Sequence, residues 1–159
     1  MNDKPLRDQL KKFLRWHDAH ADWKAALAGL TPRNRGIRPP GSPHSVWELF
    51  EHMRLAQRDI LNFCINPKYV SPEWPSRYWP KHAAPPSAAA WNKTVKTFQK
   101  DLDAMAKLVA NPKINLLARI PHGDGQTVLR EALLLADHNS YHVGQIVLVR
   151  KLLGAWPQE

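Results

Sequence analysis

Of the 14 prolines in the chain, ten are crowded into two stretches, "GLTPRNRGIRPPGSP" at 29–43 with four and "NPKYVSPEWPSRYWPKHAAPP" at 66–86 with six. Proline fixes φ, lacks an N–H and pushes the residue before it out of the helical region, so neither stretch is expected to be helical. Between and beyond these breaks the chain repeats apolar residues three and four apart, the period of an α-helix with one buried face. No alternating apolar and polar run of useful length occurs, so the expected fold class is all-α.

Four helical segments follow from that period. The first runs from about Pro5 to Ala28, with Leu6, Leu10, Phe13, His17 and Ala21 on one stripe and Gly29 as its stop. The second covers about His44 to Phe63, with Val46, Leu49, Met53, Ala56, Ile60 and Phe63 on its stripe and His52 beside it. Its start offers two caps, Ser42 before Pro43, or Ser45 with Glu48 three residues later in capping-box spacing. The third, about Ser87 to Ala110, aligns Trp91, Val95, Phe98, Leu102, Met105 and Val109, while Lys93, Lys96 and Lys100 face away. Thr127 caps the fourth, which extends to about Leu153 before Gly154 and Pro157. Four such helices predict a four-helix bundle in a single domain over residues 1–159, with the longer Pro-rich stretch as an ordered crossover between helices 2 and 3. Trp74, Tyr78, Trp79 and Tyr69 should pack that crossover onto one end of the bundle.

The chain is 43% hydrophobic and 23% charged, the balance of a protein with a packed core. No segment has the roughly 20 consecutive apolar residues that span a bilayer, and the N-terminus lacks the apolar stretch of a signal peptide, so a cytoplasmic protein is expected. One cysteine, Cys64, allows neither an internal disulfide nor a cysteine-based zinc site, so any metal must be held by histidine or carboxylate. The net charge of +9 is spread in short groups along the chain. It reads as solvated helix faces, and nucleic acid is not expected as a partner.

Against this background "LLLADHNSYHVGQIVLVRKLLG", residues 133–154, carries two imidazoles four residues apart, at His138 and His142. Residues at that spacing share a helix face, so two ring nitrogens can converge on one ion. Burying the pair without partners would be costly, and a metal satisfies both. A third ligand must come from another helix, and His52, mid-helix beside an apolar stripe, is the best placed. Three neutral histidines suit zinc, nickel, copper or iron and leave coordination positions for substrate. His17 reads as a hydrogen-bonded core histidine, and His20, His44, His82 and His122 as surface residues. Cys64 reads as a small buried residue, and no nucleophile, phosphate loop or di-iron Glu-x-x-His pair stands out.

"DHNSYHVGQIVLVRKLLG", supported by "SPHSVWELFEHMRLAQRDIL", resembles the DinB-like superfamily of metal-dependent bundle proteins, which includes YfiT-like proteins. The resemblance implies an up-down-down-up bundle, a homodimer, and one divalent ion, zinc or nickel, held by His52, His138 and His142. It also implies a transferase or isomerase reaction on a small-molecule substrate using a low-molecular-weight thiol; a three-histidine metal could instead activate water for a hydrolase reaction. The other reading is a non-enzymatic, stress-related or interaction bundle with a structural or vestigial metal site.

Asn139, Tyr141 and Gln145 lie close enough in sequence to support the ligands; packing is the expectation for Asn139 and Tyr141, whereas Gln145, one turn after His142, stands even between the two roles. Arg54 and Arg58 fall near the presumed site, where they could meet an anionic thiol or acidic substrate, but read as solvated. Trp47 and the crossover aromatics serve equally as a lid over the metal or as plain packing.

Overall fold

The computed structural model describes residues 3–15 and 18–157. Six helices follow one another among these residues: α1 Lys4–Phe13, α2 Trp23–Leu27, α3 Pro32–Arg35, α4 Val46–Ile65, α5 Ala88–Ala110 and α6 Val128–Leu152. No strand occurs among the described residues, only an isolated bridge between Arg119 and Thr127. No described helix is long and apolar enough to cross a membrane.

The three longest helices start where polar caps satisfy their first N–H groups. Ser45, not Ser42, caps α4, and its hydroxyl and the Glu48 carboxylate close a reciprocal capping box. Ser87 accepts from the Ala90 N–H and Thr127 from the Arg130 N–H in the same way.

The continuous first helix expected over residues 5–28 is instead two helices. Asp22, in extended backbone, accepts a hydrogen bond from the Ala25 N–H and so begins α2 afresh. An extended N-cap residue cannot lie inside a running helix, and Asp competes well for that position. Gly29 then leaves α2 with φ +73°, a left-handed conformation that a side chain would strain. His17 lies outside the described residues. The first Pro-rich stretch also departs from expectation, because Thr31 caps a single helical turn, α3, with Pro32 in its first turn.

Contacts fix the relative directions. From Trp47–Trp91 through Thr94–Glu51 to Gln57–Phe98 and Arg58–Asp101, partners advance together along α4 and α5, so these helices run parallel. From His52–His142 to Asn139–Gln57 they advance in opposite senses, so α4 and α6 are antiparallel. Parallel neighbours need a connection that travels the helix length, which residues 66–87 supply. This crossover is irregular but bonded to α4: Ser45 Oγ donates to the Ala83 carbonyl at 2.5 Å. A Cβ on Gly36 would collide with Ala84, so glycine lets the first linker pass against the crossover.

Phe50 and Phe98, both fully buried, meet at 5.0 Å between ring centroids, with Trp23 and Trp91 packed on them. Apolar area removed from water here supplies most of the folding drive. Two buried arginines then clip the ends of the bundle. Arg7 Nη1 donates to the carbonyls of Val109 and Asn111, tying α1 to the end of α5. Arg150 Nη1 donates to the carbonyls of Ala25 and Ala26, tying α6 to α2.

Candidate metal centre

The α4–α6 contact brings together the three histidines singled out in the sequence. His52 lies in the first half of α4, 2% exposed; His142 is 7% exposed, and His138, one turn before it on α6, is half-buried. One ligand atom from each lies within 4.8 Å of the other two, and His138 Nε2 stands 3.1 Å from His52 Nε2. No other group of three or more metal-ligating side chains converges this way among the described residues.

Hydrogen bonds assign the tautomers. His52 Nδ1 lies 2.8 Å from the Tyr78 carbonyl and His142 Nδ1 lies 2.6 Å from Gln145 Oε1. Both partners only accept, so each Nδ1 carries the proton and each Nε2 presents a lone pair. This is the arrangement in which a neighbouring acceptor orients a ligating imidazole. His138 Nδ1 is buried without a hydrogen-bond partner.

The fit of this set to a metal can be judged from these atoms. All donors are nitrogen, and two ring nitrogens facing each other at 3.1 Å need a proton or a cation between them. With Zn–N bonds of about 2.0–2.1 Å, tetrahedral ligand nitrogens stand about 3.3 Å apart, close to the observed separation. The residues present fit a divalent ion.

Burial keeps these rings neutral. It pushes His138 down to about 3, helped by the neighbouring His142 and His52, and His142 down to about 4 against the raising effect of its Gln145 bond. His52 is lowered too, by burial first and by His44, while its bond to Tyr78 opposes the shift. The unfolded chain takes up protons below the ordinary histidine value of 6.5, and the folded chain does so only near 3–4. Acid therefore favours unfolding: the contribution is full above pH 6.5 and is lost as pH falls from there towards 3. Urea midpoints of the metal-free protein should drop steeply between pH 6.5 and 4; a flat series would contradict a buried, neutral cluster.

The crossover covers one side of the centre. Trp79 lies flat on His52, 4.0 Å between centroids at 0°, and its other face stacks on His44 at 4.2 Å. Trp74, 66% exposed, stands 6.3 Å from His52, and Tyr141, 65% exposed, meets His142 edge-on at 5.0 Å. Of the two roles weighed for the crossover aromatics, Trp79 thus sits over a candidate ligand, whereas Trp47 is buried against Trp91 on the α5 side.

Several sequence expectations need correction. His44 is half-buried in that stack, not a surface residue. His122 is half-buried as well, bonding the Phe63 carbonyl at 2.7 Å and so tying the loop before α6 to the end of α4. His20 and His82 are exposed, as expected. Arg54 and Arg58 do not reach the centre; they pair with Glu51 and Asp101 towards α5, Arg58 keeping part of its side chain in solvent as expected and Arg54 less so. Asn139 donates to Gln57 Oε1, which is the interhelical packing expected of it. Cys64 packs against the core, where burial and the nearby Glu131 push its thiol up to about 12, too high for a nucleophile near neutral pH. The Tyr78 carbonyl was missed, because nothing in its spacing points to His52; Trp79 was weighed only as one of several crossover aromatics.

Fold and site together define an all-α helical bundle with a buried three-histidine cluster between two antiparallel helices. The chain belongs to the DinB superfamily, whose family model matches residues 15–146, a span that holds all three histidines. No curated protein and no solved structure matched the chain.

Proposed function

We propose that the protein is a metal-dependent enzyme acting on a small molecule, with one divalent ion, zinc or nickel, held by His52, His138 and His142. The observation that carries this reading is the convergence of three neutral imidazoles, two of them with Nδ1 pinned so that Nε2 faces the centre. A bound divalent ion supplies Lewis acidity towards a thiol or water, the chemistry of thiol-dependent transfer or of hydrolysis. The chain's own contribution is orientation and exclusion. Tyr78 and Gln145 fix two rings, and Trp79 keeps water from one face of His52. Substrate reaches the less buried His138 past Trp74 and Tyr141.

The same reading takes the chain as one cytoplasmic domain over residues 1–159 with its four principal helices up-down-down-up. The parallel α4–α5 pair and antiparallel α4–α6 pair support that order. A homodimer is part of the proposal, supported by Leu134, Tyr141 and Leu148, which recur every seven residues on the exposed side of α6. Nucleic acid is not proposed as a partner.

A second reading, a non-enzymatic bundle stiffened by its ion, is favoured by Trp79 lying directly on His52. Elemental analysis after reconstitution with zinc or nickel separates the two. About one ion per chain is expected, absent when His52, His138 and His142 are all changed to alanine. Turnover of a thiol with an electrophile, or of an activated ester, then supports the enzyme; bound metal without turnover supports the structural role. Failure to take up any metal would overturn both.

A further inference from the structure

On the side of α4 turned towards α5, away from the histidines, the two parallel helices enclose a cavity of about 500 Å³, within the range of small-molecule sites. Trp47, Arg54 and Arg58 line it from α4, and Ala90, Lys93 and Thr97 from α5. Its cations are arranged unequally with its carboxylates. Glu51 lies at the base with both oxygens engaged: Arg54 Nε and Thr94 Oγ1 donate to one at 2.9 and 2.7 Å, and Arg54 Nη2 to the other at 2.5 Å. Asp101 is 1% exposed and stands 2.8 Å from Arg58 Nε.

The carboxylates therefore hold the arginines from beneath and present little charge to the opening. Arg58, 38% exposed, has no protein acceptor on either Nη, and neither does Arg54 Nη1, among the described residues. Lys93 is exposed and forms no ion pair there. Arg54, held by two hydrogen bonds to Glu51, and Arg58, ion-paired to Asp101, offer outward N–H groups, the donor pattern suited to a planar carboxylate or a phosphate. Beside them the cavity offers an apolar floor of Trp47, Pro86 and Ala90.

We propose that this α4–α5 groove is a binding site for a small organic anion, a carboxylate or phosphate monoester on an apolar body, with the anionic group on Arg54, Arg58 and Lys93 and the body against Trp47 and Ala90. The net charge of +9 adds a general attraction for such ligands. This site does not depend on a metal at the histidines, which lie on the other side of α4.

Titration calorimetry on the full chain, stripped of metal with a chelator, tests it with three probes: phenyl phosphate, benzoate and inorganic phosphate. Phenyl phosphate, benzoate or both should saturate one site, and whichever binds identifies the anionic group. The better organic probe should bind about tenfold more tightly than inorganic phosphate, because the ring buries apolar surface. Lys93→Gln, a change at an exposed position, should weaken it about threefold to tenfold, and Arg58→Lys, which keeps charge for Asp101 but loses the guanidinium fork, by a similar factor. No saturation by either organic probe below about 10 mM, weaker than any useful charge-assisted contact would give, overturns the proposal. So does binding that both substitutions leave unchanged, or that disappears when His52 and His138 are replaced by alanine.

Discussion

Replacing His138 by leucine should lower zinc affinity by more than about 100-fold, because even partners that only orient a ligand are worth 10–100-fold. His138 contributes one of three nitrogens, and no protein acceptor orients its ring from behind, since Nδ1 is buried and unbonded and only Nε2 meets His52. Gln145→Leu should cost about 10–100-fold, since it leaves His142 in place but frees the Nδ1 that Gln145 now fixes. The order of the two effects matters more than either value. A ligand must exceed its orienter, and competition with a chromophoric chelator measures both. Metal-free stability should respond quite differently. His138→Leu loses its ring contacts to His52 and His142 but adds apolar burial, so the unfolding free energy from urea titration should change by no more than about 1 kcal/mol. Equal zinc affinity in the wild type and the leucine variant would remove His138 from the centre.

How far the sequence announced this centre follows from which contacts are periodic. His138 and His142 are legible because i and i+4 on a helix must share a face, and Gln145 is reachable by the same rule. His52 needed one further assumption, that α4 and α6 face each other at that level. The ends of α4, α5 and α6 were legible to within two residues because Ser45, Ser87 and Thr127 carry side-chain caps at their starts. The break between α1 and α2 was not, because Asp22 can sit on an exposed helix face or cap a new helix, and apolar spacing does not distinguish these. Tyr78 and Trp79 come from an aperiodic chain whose path depends on how it packs against α4, so no local pattern could assign their contacts to His52. Arg54 and Arg58 misled for a related reason. They are close to His52 in number, but at about 100° per residue they turn to another face.

Arg150→Leu should have the largest effect on the fold, a loss of about 3–5 kcal/mol, from buried carbonyls left unsatisfied at about 1–3 kcal/mol each together with the lost packing. Arg150 is 2% exposed, and burial lowers its pKa. Its Nη1 donates to the carbonyls of Ala25 and Ala26, and Nε and Nη2 both donate to that of Ala155, at 3.1 and 2.7 Å. Trp156 covers the guanidinium at 4.9 Å. Leucine matches some of the volume but donates nothing, so carbonyls at the end of α2 and after α6 lose their partner in a place water reaches poorly. α2 is five residues long and cannot be stable by itself, so its docking should fail first. Lysine should recover only part of the loss, since one ammonium cannot span the carbonyls at opposite edges of the guanidinium. At this chain length the leucine change corresponds to a fall in Tm of about 10 °C, readable by calorimetry. Zinc affinity should stay within about threefold of the wild type, because α4 keeps its contacts to α6, Asn139 to Gln57, and to α5, Gln57 to the Phe98 carbonyl. The metal centre would thus be held by the α4–α6 register and the fold by its clipped ends. A collapse of zinc binding in step with Tm would show instead that the two cannot be separated.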